Sequence, residues 1–186
     1  MKMMNITAIA LTLLTSAAIV QAQEPKRIQG FSVLLLVGET QGAAAPPENI
    51  SAPARKALAD IKDFLPYKRY RALDTVWVAG TDRGNSSGGF RTENGNYDFE
   101  LVTFPKDLGA KPGTADTALG RAKFTLYLRR PNPEPPGSPF RVDAQPLTVL
   151  NNSFDITAGD TVVVGTSRLQ GDTALVVLLT AVPANK

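Results

Sequence analysis

The chain has 186 residues, a formal net charge of +3, and neither cysteine nor histidine. The lack of these two residue types excludes disulfide bridges, the usual zinc sites, thiol nucleophiles and Ser-His-Asp triads. Any chemistry must therefore come from carboxylates, lysine, tyrosine or oxygen-bound metals, and burial of apolar surface must hold the fold together. The sequence predicts no cofactor.

The first residues have the features of an export signal. Lys2 precedes an apolar run from 6 to 20, and a small-x-small cleavage site ends at Ala22. We therefore expect a signal peptide over 1–22, export to the periplasm or the medium, and one mainly-β domain over 23–186. A retained anchor is the alternative. The mature chain would be nearly neutral, so its charge predicts no nucleic-acid partner, and no later run is long enough to span a membrane.

The first three elements are predicted to be strand, helix and strand. GFSVLLLVGE (30–39) is apolar on both faces, which is typical of a strand that is buried on both sides. Ser51 can cap a helix over about 53–65, and Pro66 ends it. The apolar stripe of this helix is formed by Ala54, Ala57, Leu58, Ile61, Phe64 and Leu65. A second strand is predicted over about 68–79.

The start of this second strand is a candidate binding site. Lys68, Arg69, Tyr70 and Arg71 could bind an anion, a glycan or an acidic lipid surface through their cations and the tyrosine ring. In a strand, however, alternation places Lys68 and Tyr70 on one face and the two arginines on the other. The alternative interpretation is therefore a solvated strand start without a binding role.

The next segment, TDRGNSSGG (81–89), is predicted to be a mobile connection because of its glycine and serine content. Asp82 and Asn85 could hold calcium there. The segment lacks the alternating oxygen spacing of known calcium loops, however, so a simple connection is the preferred interpretation.

Asn94-Gly95 predicts a two-residue hairpin turn. Such a turn places Arg91 opposite Asp98 in the next strand. Asp98 and Glu100 share a face of that strand, as paired general acid and base groups can. The cation beside Asp98 would favour the ionised carboxylate, which is the wrong direction for a general acid.

The remaining sequence predicts further strands around a proline-rich loop. RAKFTLYLRR (121–130) alternates apolar and polar residues, as a half-buried strand does. Residues 131–146 contain six prolines and form a predicted surface loop, with a PxxP docking form at Pro133 to Pro136. Residues 147–182 predict a three-strand meander with turns at Gly159-Asp160 and Gly171-Asp172. Its last strand is apolar on both faces, so we expect it at the sheet centre, beside the first strand.

These elements predict an α+β fold, namely a mainly antiparallel β sandwich-like domain with one amphipathic helix inserted after the first strand. Strands that are buried on both sides need cover on both sides. We expect the helix to cover part of one face and a second sheet to cover the other.

The segment FDITAGDTVVVGTSRLQGDTALVVLLTAV (154–182) resembles the closing β-strands of the secretin channel family. The match lies in the turn Gly159-Asp160-Thr161, the apolar strand up to Gly165, and the later apolar strand from Leu175 to Thr180. This resemblance implies an envelope protein related to such a system, and it implies no functional residue. The stretch FLPYKRYRALD is also similar to segments of other exported bacterial proteins.

Three functional hypotheses follow from the sequence. The leading one is a non-enzymatic exported envelope protein that binds a protein or an envelope polymer through an exposed sheet edge or the proline-rich loop. The alternative is a carboxylate-dependent hydrolase that acts on a glycan or a peptide. A small-ligand binder is the third, and it requires an apolar pocket between the sheet layers.

Overall fold

The computed structural model describes residues 28–43, 49–80, 83–93, 95–105, 118–129, 145–169 and 171–184. The predicted leader, the connection 106–117 and most of the proline-rich loop, with its PxxP form, lie outside these ranges. The elements within them are β1 (Ile28–Glu39), α1 (Ala52–Asp60), β2 (Arg69–Ala79), β3 (Gly84–Thr92), β4 (Gly95–Pro105), β5 (Ala118–Arg129), β6 (Leu147–Thr157), β7 (Thr161–Arg168) and β8 (Thr173–Pro183).

The strands form two four-stranded antiparallel sheets. Sheet A has the order β2-β1-β8-β7, and sheet B has the order β3-β4-β5-β6. This arrangement confirms the predicted α+β, sandwich-like fold with a helix after the first strand. The second strand begins and ends almost where the sequence predicts it. The segment that was predicted as a mobile connection contributes a strand instead, because β3 starts at Gly84.

The two strands with apolar residues on both faces lie side by side at the centre of sheet A, as predicted. β1 pairs with β8 along nearly its whole length, from Ile28 opposite Pro183 to Glu39 opposite Thr173. One face of this pair packs against sheet B, and the other face packs against the helix. Cover on both sides explains why these strands lack the alternation of polar and apolar residues.

The main core lies between the sheets and includes three aromatic rings from neighbouring strands of sheet B. Phe99 lies between Phe90 and Phe124, with ring centroids 5.3 Å and 5.5 Å away. All three side chains are at most 1 % exposed. Leu35 and Leu179 from the centre of sheet A belong to the same cluster. Burial of each such side chain contributes about 1.5–3 kcal/mol, so this layer is the main source of stability.

Helix α1 covers part of the outer face of sheet A. The Ser51 hydroxyl caps the helix by accepting a hydrogen bond from the Ala54 N–H at 3.3 Å. Ala54 and Leu58 are buried against Leu34 and Leu178 of the central strands. The predicted apolar stripe is therefore correct in its first two turns.

The helix ends at Asp60, five residues before the predicted end. The chain continues in tight turns, in which the Phe64 N–H donates to the Ile61 carbonyl at 2.9 Å. Pro66 disfavours a continued helix because its ring clashes with the preceding turn and restricts the residue before it. Phe64 consequently leaves the predicted stripe and is 85 % exposed.

The edges of the two sheets meet along two seams without forming a backbone ladder. At the first seam, the Ser86 hydroxyl of β3 donates to the Ala79 carbonyl of β2 at 3.0 Å. At the second, the Asn152 side-chain amide of β6 donates to the Val164 carbonyl of β7 at 2.7 Å. The predicted meander is therefore wrong, because β6 pairs with β5 in sheet B and the chain then crosses to sheet A. A turn signal predicts a reversal of the chain but not the sheet that the next strand joins.

The hairpin between β7 and β8 has a different register from the predicted one. Thr166, rather than Ser167, lies opposite Val176. The Leu169 N–H donates to the Thr173 carbonyl at 3.0 Å, which leaves a three-residue loop at Gly171 instead of a two-residue turn. Such loops are the next most common hairpin connections, and one added residue shifts the register by one.

A bulge divides β2 into two halves. Leu35 lies opposite Asp74 but Leu36 lies opposite Ala72, so Leu73 is an extra residue. The Asp74 carboxylate accepts a hydrogen bond from the Thr75 N–H at 2.7 Å, which supports this local geometry.

The bulge corrects the predicted faces of β2. Strict alternation predicts Val76 on the same face as Tyr70. In the structure Tyr70 packs on the helix side, whereas Val76 and Val78 pack against the core between the sheets. Trp77 is consequently on the outer face of sheet A.

In the described part of the chain, the one helix is too short to cross a membrane.

Candidate functional site

A shallow groove of about 610 Å³ lies on the outer face of sheet B. This face carries mainly polar side chains, because the apolar residues of the same strands point into the core between the sheets. The groove is lined by Ser87, Gly88, Asp98, Phe99, Glu100, Tyr127 and Pro146. It contains both carboxylates that the sequence singled out. It lies outside the sandwich, whereas a small-ligand binder would require a pocket between the layers.

The groove exists because β3 carries no large side chain at this position. Gly89 lies opposite Asp98, and Ser87 lies opposite Glu100. On the other side of β4, Tyr127 lies directly opposite Asp98. The carboxylates therefore form the floor, the tyrosine forms one wall, and the small residues of β3 leave the opposite side open.

Arg129 forms an ion pair with one of the two carboxylates on the groove floor. Its Nε and one terminal guanidinium nitrogen donate to the same Asp98 carboxylate oxygen at 2.9 Å and 2.7 Å. The two side chains are 67 % and 42 % exposed, so this ion pair contributes at most about 1 kcal/mol to stability. It fixes the position of the Asp98 carboxylate instead. The Tyr127 hydroxyl donates to Glu100 across a longer distance of 3.5 Å.

The predicted partner of Asp98 was wrong. Arg91 lies opposite Asn96, and Thr92 lies opposite Gly95, so the reversal occurs one residue earlier than the predicted turn. The Thr92 hydroxyl donates to the Gly95 carbonyl at 2.9 Å and closes this end of the hairpin. A one-residue change at the turn moves every cross-strand pair by two positions, which replaces Arg91 by Arg129 as the partner.

Asp98 and Glu100 are arranged as neighbours on one strand. They are two positions apart, or about 7 Å along a strand, and their side chains point in the same direction. Paired carboxylates that hydrolyse glycosides flank the bond that they cleave. Here both groups lie on the floor, and one of them is already occupied by a guanidinium. The arrangement is better suited to hydrogen bonding of a ligand than to acid–base chemistry.

The predicted basic and aromatic site is divided by the fold. Lys68 and Arg69 are exposed at the end of sheet A, where the Lys68 N–H donates to the Glu39 carbonyl at 2.8 Å. Arg71 lies two positions further along β2, on the same face as Arg69, and forms an ion pair with Glu93 of the β3–β4 turn at 2.7 Å. Tyr70 is half-buried on the helix side. The structure therefore does not bring these four side chains together on one surface, and their binding role stays a prediction.

Tyr70 takes part in packing. Its ring contacts that of Tyr67 in an edge-on arrangement, with centroids 6.2 Å apart. Its hydroxyl is buried and forms no hydrogen bond with the described residues. Burial, and to a smaller extent the neighbouring Tyr67, raise the pKa of Tyr70 above its ordinary value. This side chain stays neutral at all ordinary pH values.

The calcium loop that the sequence analysis considered but did not prefer at 81–89 gains no support. Asn85 lies in β3, and Asp82 is outside the described residues. Among the residues that the structure describes, no group of three or more acidic side chains is placed to hold a metal ion.

The sequence did not predict Tyr127 and Ser87 as groove residues, or Arg129 as the partner of Asp98. The alternation of RAKFTLYLRR already indicates that Tyr127 and Arg129 share a polar face. No signal in the sequence indicates that this face lies beside Asp98, because that depends on the pairing of β4 with β5. Comparison with known protein families, curated proteins and solved structures found no match to this chain.

Proposed function

We propose that this protein is a non-enzymatic, exported domain that binds a glycan polymer of the cell envelope in the groove of sheet B. The observation that supports the proposal is the composition of the groove. Tyr127 offers an aromatic ring, Ser87 offers a donor, and Asp98 and Glu100 offer acceptors. Arg129, which is not one of the lining residues, donates to Asp98. A sugar ring presents hydroxyl groups and apolar C–H faces, and both find complementary groups here.

The open form of the groove favours a polymer over a small molecule. Pockets for small ligands are usually concave and mostly apolar, and they enclose most of the ligand. This groove is shallow, and its side along β3 is left open by Gly89 and Ser87. A chain can enter and leave such a groove at both ends, so we expect weak binding at each unit of the polymer.

The seams give less support to docking at a sheet edge, which the sequence had left open. At each seam the edge strand of one sheet donates or accepts a hydrogen bond with the edge strand of the other. The outer faces are therefore the more accessible surfaces. The hydrolase hypothesis is also less well supported, because the two carboxylates do not face each other across the groove.

Export is part of the proposal and is tested separately. The sequence predicts cleavage before Gln23, so the mature protein should begin at this residue. We expect the protein in the periplasmic or extracellular fraction, and amino-terminal sequencing of that material checks the cleavage site. Full-length protein retained in the membrane fraction would instead support the anchor alternative.

Groove binding is tested by titration of the mature protein with chitohexaose, a neutral β-1,4-linked hexasaccharide. The readout is the NMR shift of the Glu100 amide, which lies in the groove and is unchanged in the variants. We expect Tyr127→Ala and Arg129→Ala to weaken binding by about tenfold, which corresponds to about 1.4 kcal/mol. Arg121→Ala is the matched control, because Arg121 lies on the same strand and face and also pairs with an aspartate, at 3.9 Å.

Two results would contradict the proposal. If the Glu100 amide does not respond, or if all three variants bind equally well, the groove is not the binding site. If purified cell-wall sacculi release soluble sugar that disappears with Glu100→Gln, the protein is a hydrolase.

A further inference from the structure

Trp77 is the one tryptophan of the chain, and it lies on the outer face of sheet A, away from the groove. It is 54 % exposed. Its ring lies over Gly30 of the neighbouring strand, since a methyl group on Gly30 would be 2.6 Å from Cζ2 of the indole. A glycine is therefore required under the ring, which is held flat beside the sheet rather than extended into solvent.

Trp77 begins a row of side chains that crosses all four strands. It lies opposite Ser32, which lies opposite Thr180, which in turn lies opposite Thr161. The two threonine hydroxyls are 2.8 Å apart and share a hydrogen bond. We call these four residues the Trp77 strip. Its ends are three strand spacings, or about 14 Å, apart.

The cover provided by helix α1 stops at the next row. That row contains Leu34, Leu178 and Val163, which belong to the cluster packed under the helix. The Trp77 strip therefore lies beside the helix, on the part of the outer face of sheet A that the helix does not cover. Ser32, Thr180 and Thr161 are only partly exposed, so the strip has the surface of a shallow platform with one aromatic end.

We propose that the Trp77 strip is a second binding site, and that it takes a neutral, extended glycan chain. The aromatic ring can stack on the C–H face of one sugar, and the row of hydroxyls can exchange hydrogen bonds with the following sugars. None of the four side chains is charged, so the strip matches a neutral ligand rather than an anion. Equatorially linked sugars form straight ribbons, which fit a straight row better than helical glycans do.

A second copy of this chain is a weaker candidate for the occupant. Protein interfaces of stable dimers have large apolar centres, whereas only one of these four residues is a large apolar group. The strip and the groove lie on opposite outer faces of the sandwich. If the proposed groove function also holds, one protein molecule can bind two glycan chains and cross-link them. The strip itself does not depend on the groove.

The sole tryptophan makes the strip directly observable. The mature protein is titrated with chitohexaose, and the fluorescence of Trp77 is recorded. We expect a saturable shift of the emission to shorter wavelength, because a stacked sugar removes water from the ring. The Tyr127→Ala variant should show the same shift, since its change lies on the other sheet.

Variants of the strip are followed through the NMR shifts of the Ser32 and Thr180 amides. Trp77→Ala should weaken binding by about tenfold, and Trp77→Phe by only a few-fold, because an aromatic face is kept. Unfolding curves of both variants check that the fold is intact. If the Trp77 emission is unchanged and the Ser32 and Thr180 amides do not shift, the proposal that the strip binds a glycan is wrong, whether or not the Glu100 amide responds. If the strip residues respond and the Glu100 amide does not, glycan binding at the strip is supported and glycan binding in the groove is contradicted.

Discussion

Replacement of Gly88 by alanine tests how tightly the two sheets are packed. The added methyl group would lie 2.6 Å from Cζ and 2.7 Å from Cε1 of Phe99, and 3.2 Å from Cγ1 of Val76. Ordinary carbon contacts are about 3.5–4.0 Å, so the Phe99 ring would have to move by about 1 Å. Phe99 is held between two other rings, so it has little room to move. We expect an overpacking cost of about 1–3 kcal/mol.

The measurement is the free energy of unfolding from urea titration at neutral pH. Gly89→Ala is the matched control, because it has the same gain in backbone rigidity but points to the outer face, where its methyl would be 3.1 Å from a carboxylate oxygen of Asp98. Gly88→Ala should be less stable than this control by about 1–3 kcal/mol. Equal stability of the two variants would refute the claim that the aromatic core is closely packed at this seam.

Three further predictions concern the tyrosines and the basic residues. Tyr70→Phe should raise the free energy of unfolding by up to about 1 kcal/mol in urea titration, because it removes a buried hydroxyl that has no partner among the described residues. Burial raises the pKa of Tyr97, so the stability that it contributes is complete below about pH 10 and falls as the pH rises further. Unfolding at alkaline pH should show a steeper loss for the wild type than for Tyr97→Phe. Charge reversal of Lys68, Arg69 and Arg71 to glutamate should leave chitohexaose affinity unchanged, and a marked loss in the same titration would revive the basic site.

The central parts of the fold could be predicted from the sequence because the faces of a strand that are buried carry apolar residues. β1 and β8 are apolar on both faces, and only a position covered on both sides is consistent with this pattern. β5 alternates apolar and polar residues along most of its length, as a strand with one covered face does. The start of the helix was predictable from the capping serine.

Other features were not predictable because they depend on contacts between distant segments. GNSSGG has a composition typical of loops, yet it forms an edge strand because β4 provides hydrogen bonds along its length. The turn residues Asn94-Gly95 suit a tight hairpin, which predicts one register of β3 and β4. The observed register is different, but it also packs Phe90 beside Phe99, so this aromatic contact does not distinguish the two. The groove could be predicted only in part. The spacing of Asp98 and Glu100 in the sequence places them on one face, but it does not indicate that Tyr127 lies beside them.

The bulge at Leu73 has a consequence for how the sequence can change. Because one extra residue reverses the two faces of β2, the position of Trp77 outside depends on a count of residues rather than on its own chemistry. If Leu73 instead took part in a regular ladder without the bulge, the indole would point to where Val76 and Val78 now lie, in a core that has no room for it. Deletion of Leu73, by contrast, would remove the bulge and leave the pairing on both sides of it unchanged, so it should keep Trp77 on the outer face.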